Sequence, residues 1–135
     1  MIHEVLNTID SYPDAISRVL FRLRELILQV AMDEGYGEVE ESLKWGEPSC
    51  RVKGGSPFRY DWKEKTPDKY YLFFNCQTKL IETFRLLYGN ELEFQGNRGI
   101  VLSIEKELPV KAIRHCLIMA MTYKKIKDLP MLGQL

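Results

Sequence analysis

The sequence has no excess of charge of either sign: nineteen lysines and arginines face nineteen aspartates and glutamates. A domain built to hold a nucleic-acid backbone normally carries a strong basic surplus, so its absence removes any global attraction to such a partner and leaves only local patches. No long apolar run is present either. The longest candidate, residues 116–121, falls far short of the ~20 residues that cross a bilayer, so no membrane partner is expected. The opening Met1-Ile2-His3-Glu4 places an acid early and has no extended apolar core, unlike a secretory leader. Cysteine and histidine are scarce: Cys50, Cys76 and Cys116, with His3 and His115. An odd set of cysteines without CxxC spacing argues against a disulfide framework and a zinc ribbon, and free thiols in a reducing cytoplasm are the simpler expectation. Internal repeats and low-complexity linkers are also missing, so residues 1–135 are expected to form one domain.

What is there has the balance of an ordinary globular protein, 45% hydrophobic and 28% charged. Ile2, Val5, Leu6 and Ile9 recur at helical spacing until Asp10-Ser11-Tyr12-Pro13 breaks the pattern. Ser11, with Asp14 three residues on and Pro13 inside the first turn, forms an N-cap arrangement for a second helix. That helix carries Ile16, Val19, Leu20, Leu23, Ile27 and Val30 on one face and stops at Gly35. From Gly37 the period becomes two: Val39, Leu43 and Trp45 alternate with Glu40, Ser42 and Lys44, as in a half-buried strand. Gly46 and Pro48 interrupt it, and Gly54-Gly55-Ser56-Pro57 turns the chain into a strand in which Phe58, Tyr60 and Trp62 alternate with Arg59 and Asp61. The continuous aromatic run of residues 70–75 reads as a central strand covered on both faces. Thr78 then starts a helix ended by Gly89, a turn at residues 96–99 precedes a β-branched strand, and Pro109 opens the last helix. Short neighbouring strands joined by hairpin-type turns predict an α+β fold, a mostly antiparallel sheet of about five strands with flanking helices.

The segment Glu41-Ser42-Leu43-Lys44-Trp45-Gly46-Glu47-Pro48-Ser49, following a long capped helix, resembles the YdhG-like family, a bacterial domain of unknown function. The aromatic strand of residues 70–74, the helix to Gly89, and Gly96-Asn97-Arg98-Gly99 leading into the next strand extend the resemblance over most of the chain. Lys44-Trp45-Gly46 with Pro48 is its most specific part, while Cys50 departs from it, standing where many relatives carry an aromatic residue. The resemblance implies helices packed against a curved antiparallel sheet. It also implies a link to frataxin-like intracellular iron chaperones, as some members have been described, with no reaction established for the family.

Candidate site residues follow from both readings. Trp45 is either a core anchor at a strand end or, with Tyr60, an apolar wall of a pocket in which Glu47 and Arg98 fix the orientation of a small ligand. Glu38, Glu40 and Glu41, in an acidic run that begins at Asp33 and Glu34, offer carboxylate oxygens to Mg²⁺ or to a labile Fe²⁺. A solvated edge around a helix C-terminus is the favoured reading of the same run, because strand alternation sends Glu40 and Glu41 to opposite faces. His115 and Cys116 project about 100° apart on a helix and do not suit one tetrahedral metal. No Ser-His-Asp or Cys-His-Asn arrangement can be drawn, so an enzyme would need an unrecognised site at Glu47 or Cys50. Lys106, Lys111, Arg114, Lys124, Lys125 and Lys127 gather late; they complement a helix C-terminus, or they pair with the early acids of a second copy in a homodimer. No cofactor is specified. The leading expectation is a non-enzymatic binding domain for a small ligand or labile metal ion, with an enzyme or a protein-interaction module as the alternatives.

Overall fold

A computed structural model describes residues 2–134. Helices α1 (Ile2–Asp10) and α2 (Asp14–Glu34) lead into strands β1 (Glu40–Lys44), β2 (Glu47–Arg51), β3 (Phe58–Trp62) and β4 (Lys69–Phe74). Helix α3 (Leu80–Tyr88), strands β5 (Glu93–Gln95) and β6 (Gly99–Ser103), helix α4 (Val110–Met121), the short α5 (Tyr123–Ile126) and a 3₁₀ turn (Pro130–Gly133) complete the chain. The strands form one open, curved antiparallel sheet in the order β1-β2-β3-β4-β6-β5. The α+β class is as the sequence predicts. The sheet has six strands rather than five, because the three-residue β5 adds an edge to β6.

Helix α2 buries Ile16, Leu20, Leu23, Ile27 and Val30 along the predicted stripe, each worth roughly 1.5–3 kcal/mol of transfer free energy. Gly35 ends it at φ +71°, and the Tyr36 N–H donates to Ala31 O at 2.9 Å, the bond that closes a Schellman-type cap. Its start differs from expectation. Ser11 makes no cap for α2; its hydroxyl donates to Thr8 O at 2.6 Å and so serves the end of α1, while Pro13 occupies the cap position of α2. The acids at the end of α2, unfavourable for the helix dipole, are matched by Arg114 of α4, 3.3 Å from Asp33 and 3.2 Å from Glu34. The early acidic and late basic segments therefore meet within one chain at this point, which weakens the case that they evolved to join two copies.

Strand register assigns each residue to a face of the sheet. Cys50 stands opposite Glu41 and Phe58; Phe58 opposite Phe74; Tyr60 opposite Leu72; Leu72 opposite Ile100; Tyr70 opposite Leu102. These residues share one face, and they join the buried residues of α1, α2, α3 and α4 in a single hydrophobic core. The opposite face carries Ser49, Arg59, Phe73 and Gly99 in one row, and Asp61, Tyr71 and Val101 in the next. Tyr71 and Phe73 are buried yet stand outside the core built by the helices. The helices thus cover one face only. The aromatic run of β4 is indeed buried on both sides, but its second side is covered by neighbouring side chains and by the β3–β4 loop, where Thr66 Oγ1 and the Tyr71 hydroxyl lie 2.8 Å apart.

Gly55 allows the β2–β3 connection to cross the end of α4. A Cβ at that position would stand 2.9 Å from the Met121 backbone, and the adjacent Ser56 N–H donates to Ala120 O at 2.9 Å.

Candidate functional site

The helix-free face divides into a closed end and an open one. At the closed end two carboxylates are almost buried, Glu47 on β2 and Asp61 on β3. Lys63 donates to Glu47 and lies 3.4 Å from Asp61; Arg59 Nε stands 3.4 Å from Glu47 Oε1. That last contact is Coulombic rather than an aligned hydrogen bond, since Glu47 Oε1 has no hydrogen-bond partner. The Tyr12 hydroxyl, at the α1–α2 corner, donates to Asp61 Oδ1 at 2.6 Å. Burial raises the Asp61 pKa above its ordinary value, against the opposing hydrogen bonds from Tyr12 and the Trp62 backbone and the charge of Lys63. Burial alone would lower Lys63, but the bond to Glu47 and the two carboxylate charges outweigh it and hold the ammonium form. Burial and the neighbouring Asp61 push the Tyr12 hydroxyl up, so it stays a donor.

At the open end is a hollow of about 400 Å³, bordered by Lys44, Trp45, Ser49, Arg59, Phe73 and Arg98, together with backbone and side chains of residues 57–58 and 74–76. Phe73 forms its floor, stacked at 5.4 Å on Tyr71 with the rings 8° from parallel, and the Arg59 guanidinium lies 5.8 Å from its centroid. Gly99, directly across from Phe73, gives the ring room to pack against β6: a Cβ there would stand 3.3 Å from Phe73 Cδ1. Arg98 is held at the rim by its backbone, whose carbonyl accepts from the Phe74 N–H at 2.7 Å. Its side chain and that of Lys44 enter no ion pair among the described residues.

Trp45 has the least ordinary conformation in the sheet. Lys44 pairs with Glu47, so Trp45-Gly46 is a two-residue hairpin turn, with φ +57° at Trp45 and +77° at Gly46. Two positive φ values define a type I′ turn, whose first position favours asparagine, aspartate or glycine. A tryptophan there is strained, and its side chain is 90% exposed. The expectation that Trp45 anchors the core is therefore corrected. The alternation of Val39, Leu43 and Trp45 ends at Leu43, because the chain reverses before the next inward position.

The other sequence-derived site residues separate. Arg98 and Trp45 come together at the hollow. Glu47 lies behind it, engaged with Arg59 and Lys63, so it orients Arg59 rather than facing a ligand. Tyr60 points the other way, fully buried among the helices, and its hydroxyl has no hydrogen-bond partner. It cannot wall a pocket on the opposite face, because it alternates with Arg59 and Asp61 along β3. Glu38, Glu40 and Glu41 border one trough of about 690 Å³ beside β1, but their carboxylates are committed or dispersed. Arg51 donates to Glu40 at 2.8 and 3.0 Å, while Arg24 of α2 grips Glu41 with a bidentate pair at 2.7 and 2.9 Å. Among the described residues no group of three or more His, Cys, Asp or Glu side chains is placed to hold a metal. Strand alternation is the reason: Glu40 and Glu41 occupy opposite faces.

The thiols are equally dispersed. Cys50 is buried beside Glu41, and burial pushes its thiol up; Cys116 is buried and pushed up to about 12. Cys76 alone is exposed, at the border of the hollow. His115 is occupied by the Tyr88 hydroxyl at 2.5 Å and Gln134 Oε1 at 2.6 Å. The sequence does not mark Arg59, Phe73 or Lys44 as site residues. Their signal lay in the alternation of Arg59 and Asp61 with three aromatics, which marks a polar second face, but only the pairing of β3 with β4 puts Phe73 on that face.

No helix among the described residues is long and apolar enough to cross a membrane. No protein-family model, no curated protein and no solved structure matches this chain.

Proposed function

We propose that the chain is a binding domain of the YdhG-like kind that takes a small molecule in the hollow on the helix-free face of its sheet. The observation that carries this reading is Trp45. Folding gains little from an indole that is 90% exposed and held at φ +57°. Strain and exposure of this kind concentrate where a side chain serves a ligand. The indole borders a hollow floored by Phe73, and about 400 Å³ lies within the size range of small-molecule sites. Helices packed on a curved antiparallel sheet are also the architecture that the resemblance implies.

Support for the alternatives is weaker. Of the carboxylates that an iron carrier would use, Glu38, Glu40 and Glu41, the last two are engaged by arginines. A thiol enzyme would need a thiolate at Cys50, where burial favours the neutral thiol. The large exposed apolar side chains, Ile2, Met32, Trp45, Leu86, Val110 and Leu129, stand on six different elements or connections, and no single strand or helix face gathers them. Mapping of backbone amide shifts with a panel of small aromatic compounds tests the reading. Shifts clustered at Trp45, Arg59, Phe73 and Arg98 are expected, and a panel that perturbs only other surfaces would refute it.

A further inference from the structure

The geometry points to a specific ligand class for this hollow: a small planar anion, its flat body against Phe73 and Trp45 and its charge against Arg98 and Lys44. The inference rests on the small-molecule reading above and adds to it the sign of the charge.

Three cations border the hollow, Lys44, Arg59 and Arg98, and no carboxylate among the described residues does. In a chain with balanced charge such a lining is a local concentration of one sign. Arg59 is partly matched by Glu47, whereas Lys44 and Arg98 enter no ion pair among the described residues. The nearby acids do not compensate them: Glu47 and Asp61 are held by Lys63, Arg59 and Tyr12 at the closed end. That network also fixes Arg59 in place over Phe73, so one cation is positioned before a ligand arrives. An arginine fork suits the planar oxygens of a carboxylate or a phosphate equally, and both present the same chemistry here. The projecting Trp45 indole supplies flat apolar contact for an aromatic body, beside the part of the largely buried Phe73 ring that borders the hollow. A cationic or neutral ligand would leave Lys44 and Arg98 unmatched.

The test compares three compounds of one shape by calorimetry on the full chain: 2-naphthoate, 2-naphthamide and 2-naphthyl phosphate. One or both anions should bind at least roughly tenfold tighter than the amide, as expected of hydrogen bonds to a charged group. Raised salt should narrow the gap. The variants R98Q and K44Q should weaken the anions while leaving the amide unchanged, and W45A should weaken all three. The carboxylate and phosphate arms distinguish the two oxyanions. An amide that binds as tightly as the anions, with the loss confined to W45A, overturns the charge assignment and leaves the small-molecule reading standing. Failure of all three compounds to bind at millimolar concentration overturns both. A single-stranded oligonucleotide that binds more tightly than naphthyl phosphate and is released by R98Q would replace the small ligand with a nucleic acid and overturn the inference.

Discussion

Replacing Trp45 by asparagine should make the protein more stable while removing its ligand grip. Trp45 is the first residue of a type I′ turn at φ +57°, and an L-residue other than glycine, asparagine or aspartate costs about 1 kcal/mol or more in that region. The indole is 90% exposed, so only a tenth of the ~250 Å² that a buried tryptophan can cover is lost on substitution, worth roughly 0.6 kcal/mol. W45N relieves most of the strain, completes the Asn-Gly pair that type I′ turns favour, and gives up only that small contact. The net gain is about 0.5 kcal/mol, a rise of roughly 2 °C in the melting temperature for a chain of this size. W45A gives up the same contact without the relief and should fall about 1 kcal/mol below W45N. Urea unfolding of the three proteins measures these differences. A W45N variant less stable than W45A, or destabilised by more than about 1 kcal/mol, would show that the indole is packed and would remove the argument that it is kept for a ligand.

Other perturbations probe the rest of the account. Y60F should raise stability by about 1 kcal/mol, because it deletes a buried hydroxyl that has no partner, and should leave naphthoate binding unchanged; a loss of stability would reveal a partner for that hydroxyl. A thiol reagent should modify Cys76 quickly in the native protein and reach the buried Cys50 and Cys116 only on denaturation, and naphthoate should slow the Cys76 reaction; native modification of all three thiols would contradict the packing around β2 and α4. Because burial raises Asp61 above its ordinary pKa of 3.8, the native state holds that proton more readily than the unfolded chain. The contribution of Asp61 to stability is therefore complete below about 3.8 and lost as pH rises through the folded value. D61N, which stays neutral, should gain stability relative to the wild type as pH rises above about 3.8, and a difference in urea midpoint that stays constant or shrinks as pH rises would contradict the assignment.

Much of the fold is legible residue by residue. The stripe of α2 with Gly35 behind it, the turn chemistry at residues 54–57, and the alternation of Phe58, Tyr60 and Trp62 all translate directly into elements. The losses have particular causes. Strand β5, Glu93–Gln95, is too short to show a period and exists because β6 offers it an edge. Ser11 has the composition of a cap for α2, but the chain turns so tightly after α1 that its hydroxyl meets Thr8 O first. The candidate site was half legible. Alternation says that Tyr60 and Arg59 face opposite ways, yet it does not say which face the helices take. Phe73 was hidden by the opposite ambiguity: a run of consecutive aromatics has no alternation to read, and its face is set only by register with Arg59 across the ladder. Trp45 was legible as important from its setting before Gly46, but its exposure depends on where the hairpin reverses, which a two-residue shift in register would have changed.

A crystal structure of the chain grown with saturating 2-naphthoate would decide whether the helix-free face holds a planar anion. The naphthalene ring should lie in the hollow against Trp45, at the border formed by Phe73, with its carboxylate toward Arg98 and Lys44. An empty hollow, or naphthoate bound only on the helix side or in the trough beside β1, would contradict it.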